Sequence, residues 1–186
     1  MTRSDPLETC INRLAIESGH HVFNHKVDEV KPVTYQKSSG RCWVFAALNA
    51  MRVPFMKKLD IDDFEFSQSY LFFWDKIERS NYFLNSLASA YKERKENPEG
   101  RLVSFLLADP ISDGGQWDMV ANLIEKYGVM PKKCFPETFS CGSSRRMNQI
   151  IKSKMREFAH DLFEAASLTD EEIGLLIKEQ MKVIYR

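Results

Sequence analysis

No stretch of the 186 residues approaches the run of about 20 apolar side chains that spans a bilayer, so neither a membrane helix nor a membrane partner is expected. Charge of either sign is not in excess. Lysine and arginine number 26, aspartate and glutamate 26, so the chain lacks the basic surplus of a dedicated nucleic-acid binder and leaves room only for a local patch. Cysteine is sparse: Cys10, Cys42, Cys134 and Cys141 form no dense framework. The polar N-terminus MTRSDPLETC has no apolar signal region, so a reducing, cytoplasmic setting is the simplest expectation. Internal repeats and low-complexity tracts are missing. A chain of this length can bury one good core, or one domain and part of another. His20, His21 and His25 cluster near Asp28, but at a spacing that fits no standard metal motif. They read as an exposed connection, and neither a metal nor a cofactor is expected.

What the chain does have is concentrated in Gln36–Pro54, QKSSGRCWVFAALNAMRVP. Ser38, Ser39 and Gly40 supply a tight turn, two with side chains that bond locally and one free to adopt positive φ. From Cys42 the pattern turns helical, with Phe45, Leu48 and Met51 apolar and Pro54 expected to stop the run. Two readings of Cys42 are open. It is a small buried residue of a core helix, or a reactive thiol at a helix N-terminus, where partial positive charge and unpaired N–H groups favour the thiolate. Arg41 would add a full charge beside it. Gln36, six residues upstream, favours the second reading, because its amide could donate to a developing oxyanion alongside the Cys42 N–H.

The rest of the chain reads as helices joined by polar turns. Residues Thr9–Ser18 give a short helical pattern, and Val27–Tyr35 an extended approach to the turn. Ser67 is a candidate N-cap for a long helix, with Tyr70, Trp74, Ile77, Leu84, Leu87 and Tyr91 on its inner face. Ser112-Asp113-Gly114-Gly115 precedes a helix to Tyr127 that Gly128 closes. The glycine pair is a turn before that helix or, on the sharper reading, a backbone that approaches a substrate strand. Arg145–Ala166 is amphipathic, and Thr169 with Glu172 opens a last helix by a capping box. Its apolar stripe, Ile173, Leu176, Ile177, Met181 and Ile184, still marks a buried face near Arg186, which reads as a cut chain.

These residues resemble the papain-like cysteine peptidases, and more closely their bleomycin hydrolase branch. Ser39-Gly40-Arg41-Cys42-Trp43 matches the nucleophile motif at the glycine, the cysteine and the tryptophan. Gln36 stands where that family keeps its oxyanion glutamine, and Gly114-Gly115 resembles its substrate-binding glycine pair. QKSSGRCW, VPFMKKL, FEFSQSYLFFWDK, DGGQWDM and YGVMPKKCFPE are similar to the branch across nearly the whole chain. In secreted relatives a disulfide joins the positions held here by Ser39 and Ser112, which fits a cytosolic enzyme. Tyr35 departs from the asparagine common in that branch.

The resemblance implies a mostly α fold: the helical, nucleophile-bearing domain of a papain-like α+β fold, with the β-rich second domain absent from this chain. Residues 1–140 would be that domain, with the nucleophile helix near 42–54, and 141–186 the start of an inserted helical region. It also implies an aminopeptidase acting on a peptide or amide with a free N-terminus, assembled as a homohexamer. Catalysis would rest on Cys42 and Gln36, and substrate binding on Gly114 and Gly115. A catalytic histidine and asparagine are missing: only His160 follows Cys42, and it sits mid-helix. The expectation is therefore an N-terminal fragment, inactive alone. The alternatives are a truncated interaction or regulatory module, or a thiol redox protein.

Overall fold

The computed structural model describes residues 10–20, 22–26, 31–92 and 97–186. His21, Asp28, Thr9 and residues 27–30 of the extended approach lie outside them. The described residues hold eight helices: α1 Arg13–Glu17, α2 Cys42–Leu59, α3 Gln68–Lys92, α4 Arg101–Ala108, α5 Trp117–Tyr127, α6 Phe139–Gly142, α7 Arg145–Glu164 and α8 Asp170–Tyr185. Among those residues there are no β-strands, only isolated bridges between Ser38 and Ser143 and between Phe66 and Pro131. The mostly α expectation holds.

The helix ends follow from local chemistry. Ser67 Oγ accepts the Tyr70 N–H at 3.1 Å and starts α3. Thr169 and Glu172 form the full capping box of α8. Gly128, at φ 72°, ends α5 by donating its N–H to Ile124 O at 2.8 Å. Pro54 does not stop α2. The helix runs on to Leu59 and ends at Asp60 in the left-handed region, φ 51°. The proline ring costs one backbone bond, but the turn beyond it is held by packing: Met56 is buried, and the Phe55 ring lies 4.7 Å from Phe64 and 5.1 Å from Phe66.

α3 is the spine. Its 25 residues extend about 38 Å at helical rise, enough to back two cores. Near its start, Leu71 joins Trp43, Val44, Ala47 and Leu48 of α2, Phe66, and Val120 and Leu123 of α5. Near its end, Phe83, Leu84, Leu87 and Tyr91 join Val103 of α4, Met155, Phe158 and Leu162 of α7, and Ile173 and Ile177 of α8. The stripe of α8 is thus occupied: Met181 and Ile184 pack on the second core, and the Tyr185 ring sits 5.5 Å from Phe73.

One expected face is rotated. Tyr70, Trp74 and Ile77 are only half-buried, while Gln68, Ser69, Asp75, Lys76 and Ser80 are buried. The first half of α3 turns a polar face inward, and the groups it meets explain why.

Candidate active site

Cys42 is the first residue of α2 and is exposed, while Trp43, Val44 and Phe45 after it are buried. The Arg41 cap offers no side-chain bond, and the Arg41 carbonyl takes the N–H groups of Val44 and Phe45, each at 3.0 Å. As at any helix start, the Cys42 and Trp43 N–H groups lie before the intrahelical ladder. The preceding turn closes on itself: Gln36 Nε2 donates to Ser39 O at 2.9 Å, and Ser39 Oγ donates to Gln36 O at 2.7 Å. One N–H of the Gln36 amide is therefore engaged by the turn, leaving a second. The turn is braced from behind, where Ser38 N–H donates to Gly142 O at 3.0 Å.

Arg41 does not lend its charge to the thiol. Its side chain is 0% exposed and pairs with Glu137 at 2.5 Å, with the Phe45 and Phe72 rings 5.2 Å and 5.1 Å from its guanidinium. Its Nε donates to Ser39 Oγ at 2.8 Å. Burial pushes the Glu137 carboxyl up, but Arg41 and the Ser69 hydroxyl outweigh it and hold the acid below its ordinary range. The arginine is an internal anchor under the turn.

The glycine pair lies directly against this turn. A Cβ on Gly115 would meet the Trp43 ring at 2.6–2.8 Å, so the glycine is required by close approach. Gly114 differs: it is exposed, and a Cβ there would meet nothing within 4 Å. Its carbonyl accepts from Arg79 Nη2 at 2.6 Å. Trp43 Nε1 donates to Asp113 O at 2.7 Å, fastening the indole to the residue before the pair. Nucleophile turn and glycine shelf are thus one packed unit, and the open side of the shelf is at Gly114.

Asp113 gathers the polar face of α3. Lys76 Nζ donates to Asp113 Oδ1 and to Ser112 O, each at 2.7 Å. Asn148 Nδ2 donates to Oδ1 at 2.6 Å, Gly40 N–H donates to Oδ2 at 3.3 Å, and the Ser144 hydroxyl also donates to Oδ2. Burial pushes the carboxyl up, but Lys76, Ser144 and Asn148 together bring it down to about 2. For Lys76 burial dominates in the other direction and lowers its pKa, with Asp113 restoring part. Asp75 is raised, chiefly by burial, against the pull of Arg79.

His160 is exposed on α7, 12 residues beyond Asn148, which at helical rise is about 18 Å from the Asp113 cluster. Among the described residues, no hydrogen bond links a histidine to Cys42. All four cysteines are free.

The Peptidase C1-like family model matches residues 1–186. The chain belongs to the Peptidase C1-like family. It is 53% identical to bleomycin hydrolase of Oryctolagus cuniculus over all of its own length, covering 68% of that protein. The human bleomycin hydrolase is also 53% identical, with 41% of its length covered. Mitochondrial cysteine proteinase 1 of Saccharomyces cerevisiae is 43% identical over 88% of this chain and 34% of its own. The crystal structure of PepW from Lactobacillus rhamnosis superposes with a TM-score of 0.86 at 40% identity, over 94% of this chain and 39% of that one. The chain thus spans about two fifths of most of these relatives.

Within this Peptidase C1-like chain, sequence reasoning picked out Cys42, Gln36, Gly114 and Gly115 but missed Asp113, Lys76, Ser144 and Asn148. A signal for one was present. Lys76 interrupts the 72–76–80–84 row of α3, and a charge among Phe72, Ser80 and Leu84 asks for a buried partner.

Proposed function

We propose that this chain is the nucleophile-bearing helical part of a thiol aminopeptidase of bleomycin-hydrolase type. It cleaves the N-terminal peptide bond, or a related amide, of a substrate with a free N-terminus. The observation that carries the reading is an exposed thiol, Cys42, at an uncapped helix start packed against a glycine shelf whose outer side is open. The thiolate sulfur of Cys42 attacks the carbonyl carbon, and the oxyanion takes the Cys42 N–H and the second N–H of Gln36. The amine leaves with a proton from an imidazolium. Water then attacks the thioester, giving the acid and the free thiol. The extended substrate lies along Gly114 and Gly115.

In this reading residues 1–140 form the nucleophile domain and 141–186 begin an inserted helical region. The histidine and its orienting asparagine belong to a β-rich part outside this chain. Assembly into a homohexamer and a cytoplasmic location belong to the same proposal, supported by the family resemblance.

The test is Gln36→Ala in the complete enzyme. Losing one oxyanion donor typically costs ~10²–10³ in rate, so kcat/KM for an aminoacyl fluorogenic substrate falls by that order while some turnover remains. Near-full activity would remove Gln36 from the oxyanion site. The 186-residue chain alone should not turn over that substrate; Cys42-dependent turnover would show that the base is already present.

A further inference from the structure

The geometry points to Asp113 as the positioning residue that holds the nucleophile turn in register with the glycine shelf. The inference rests on the peptidase reading for its functional meaning, but the contacts stand by themselves. Segments remote in sequence meet at this one residue: the Gly40 N–H of the turn, the Trp43 indole of α2, Lys76 of α3, and Ser144 with Asn148 at the start of α7. The approach is close. A Cβ on Gly40 would lie 2.8 Å from Asp113 Cβ, so the turn rests directly on this side chain. The Asp113 side chain is 11% exposed, and Lys76 opposite it is 6% exposed.

The chemistry suits the task. A carboxylate can accept several donors at once, and here both oxygens are shared between a buried ammonium, a hydroxyl, an amide and a backbone N–H. Lys76 is itself fixed by Ser112 O and by the Phe72 ring 4.7 Å away, so the tie is anchored in the spine helix. Ser39 and Ser112 make no covalent bond, and the Asp113 cluster joins the same two segments. Displacing the turn relative to the shelf would change where the Cys42 sulfur meets a substrate carbonyl, and misplacement on the order of 1 Å can cost about 10²-fold in rate.

The experiment uses the 186-residue chain with Asp113→Ala, Asp113→Asn and the milder Ser144→Ala, with Asp109→Ala as a control at an exposed carboxylate paired with Lys152. Amide exchange at Gly40 and the Trp43 indole N–H resonance are followed by NMR. Cys42 labelling is measured by mass spectrometry with iodoacetamide, which needs only the thiol, and with an aminoacyl chloromethyl ketone, which also alkylates the bare thiol but gains over iodoacetamide where the shelf seats its aminoacyl group. For Asp113→Ala the expected results are Gly40 exchange at least about tenfold faster, a shifted indole signal, and a ketone-to-iodoacetamide ratio down at least about tenfold. The iodoacetamide rate itself should move less than about twofold. Asp113→Asn, whose amide oxygen still accepts from Gly40, should recover part of the ratio, and Asp109→Ala should match the parent chain. If Asp113→Ala does not fold, Ser144→Ala decides by the same readouts with smaller changes. Gly40 exchange and Trp43 signal unchanged in both Asp113→Ala and Ser144→Ala would overturn the positioning role. A parent chain with no preference for the ketone would show that the shelf of this chain alone does not seat a substrate, the peptidase reading then standing or falling on Gln36→Ala in the complete enzyme, and the exchange data alone would decide the positioning.

Discussion

Gly115→Ala and Gly114→Ala separate packing from function within one dipeptide. At Gly115 the new methyl would stand 2.6–2.8 Å from three atoms of the Trp43 ring. That is about 1 Å inside the 3.5–4.0 Å at which carbon atoms attract, so the shelf or the ring must move. The ring has little room: Trp43 is buried and its Nε1 is bonded to Asp113 O at 2.7 Å. Overpacking of this kind costs about 2–3 kcal/mol. For a chain of this size each kcal/mol is worth 2–4 °C, so Tm should fall by roughly 4–12 °C. At Gly114 nothing lies within 4 Å, and the stability change should stay within about 0.5 kcal/mol. Under the proposed function that methyl enters the substrate path, so aminoacyl chloromethyl ketone labelling of Cys42 should drop although the melt does not. Circular dichroism melts at 222 nm and quantitative labelling decide the matter. A Gly115→Ala melt matching the parent, or an equal loss for Gly114→Ala, would refute the packing argument.

Arg41→Met strands Glu137 by removing the partner of a largely buried pair, a change that typically costs about 3–5 kcal/mol. Because Glu137 is 19% exposed, the lower end is expected in urea denaturation, and adding Glu137→Gln should recover part. Acid should weaken the fold through Asp113. Its folded pKa, about 2, lies below the ordinary 3.8, so its contribution is present above pH 4 and is lost as pH falls through 2. The difference corresponds to roughly 2 kcal/mol. Comparing urea midpoints at pH 5 and pH 2.5 for the parent and Asp113→Asn checks this; equal losses would assign the acid sensitivity elsewhere.

The helix boundaries that were legible in the sequence are those set by a few neighbouring residues. Ser67, Thr169 with Glu172, and Gly128 act within four positions of themselves, and each does what its chemistry suggests. Pro54 was misleading because a local penalty was outweighed by Phe55 and Met56 packing on distant partners. The inner face of α3 was hidden for a related reason. Hydrophobic periodicity pointed to Tyr70, Trp74 and Ile77, whereas this half of the helix serves Asp113, 37 residues beyond Lys76. Gly40 and Asp113 are 73 positions apart, and only the folded chain brings them together. The thiol and its glutamine were legible as a motif, but what holds them is an assembly of long-range contacts.

Ser39 and Ser112 each serve a guanidinium group. Neither hydroxyl is idle: Ser39 accepts from the sealed Arg41, and Ser112 accepts from Arg79 at 3.2 Å, an arginine that also holds Gly114. Cysteines at both positions would take good acceptors from two guanidinium groups at once. Each serine is one of several acceptors around its arginine, since Arg41 also pairs with Glu137 at 2.5 Å and Arg79 with Asp75 at 2.8 Å. A cysteine pair introduced at 39 and 112 to bridge the turn and the shelf would therefore weaken two guanidinium contacts while leaving the Glu137 and Asp75 pairs in place.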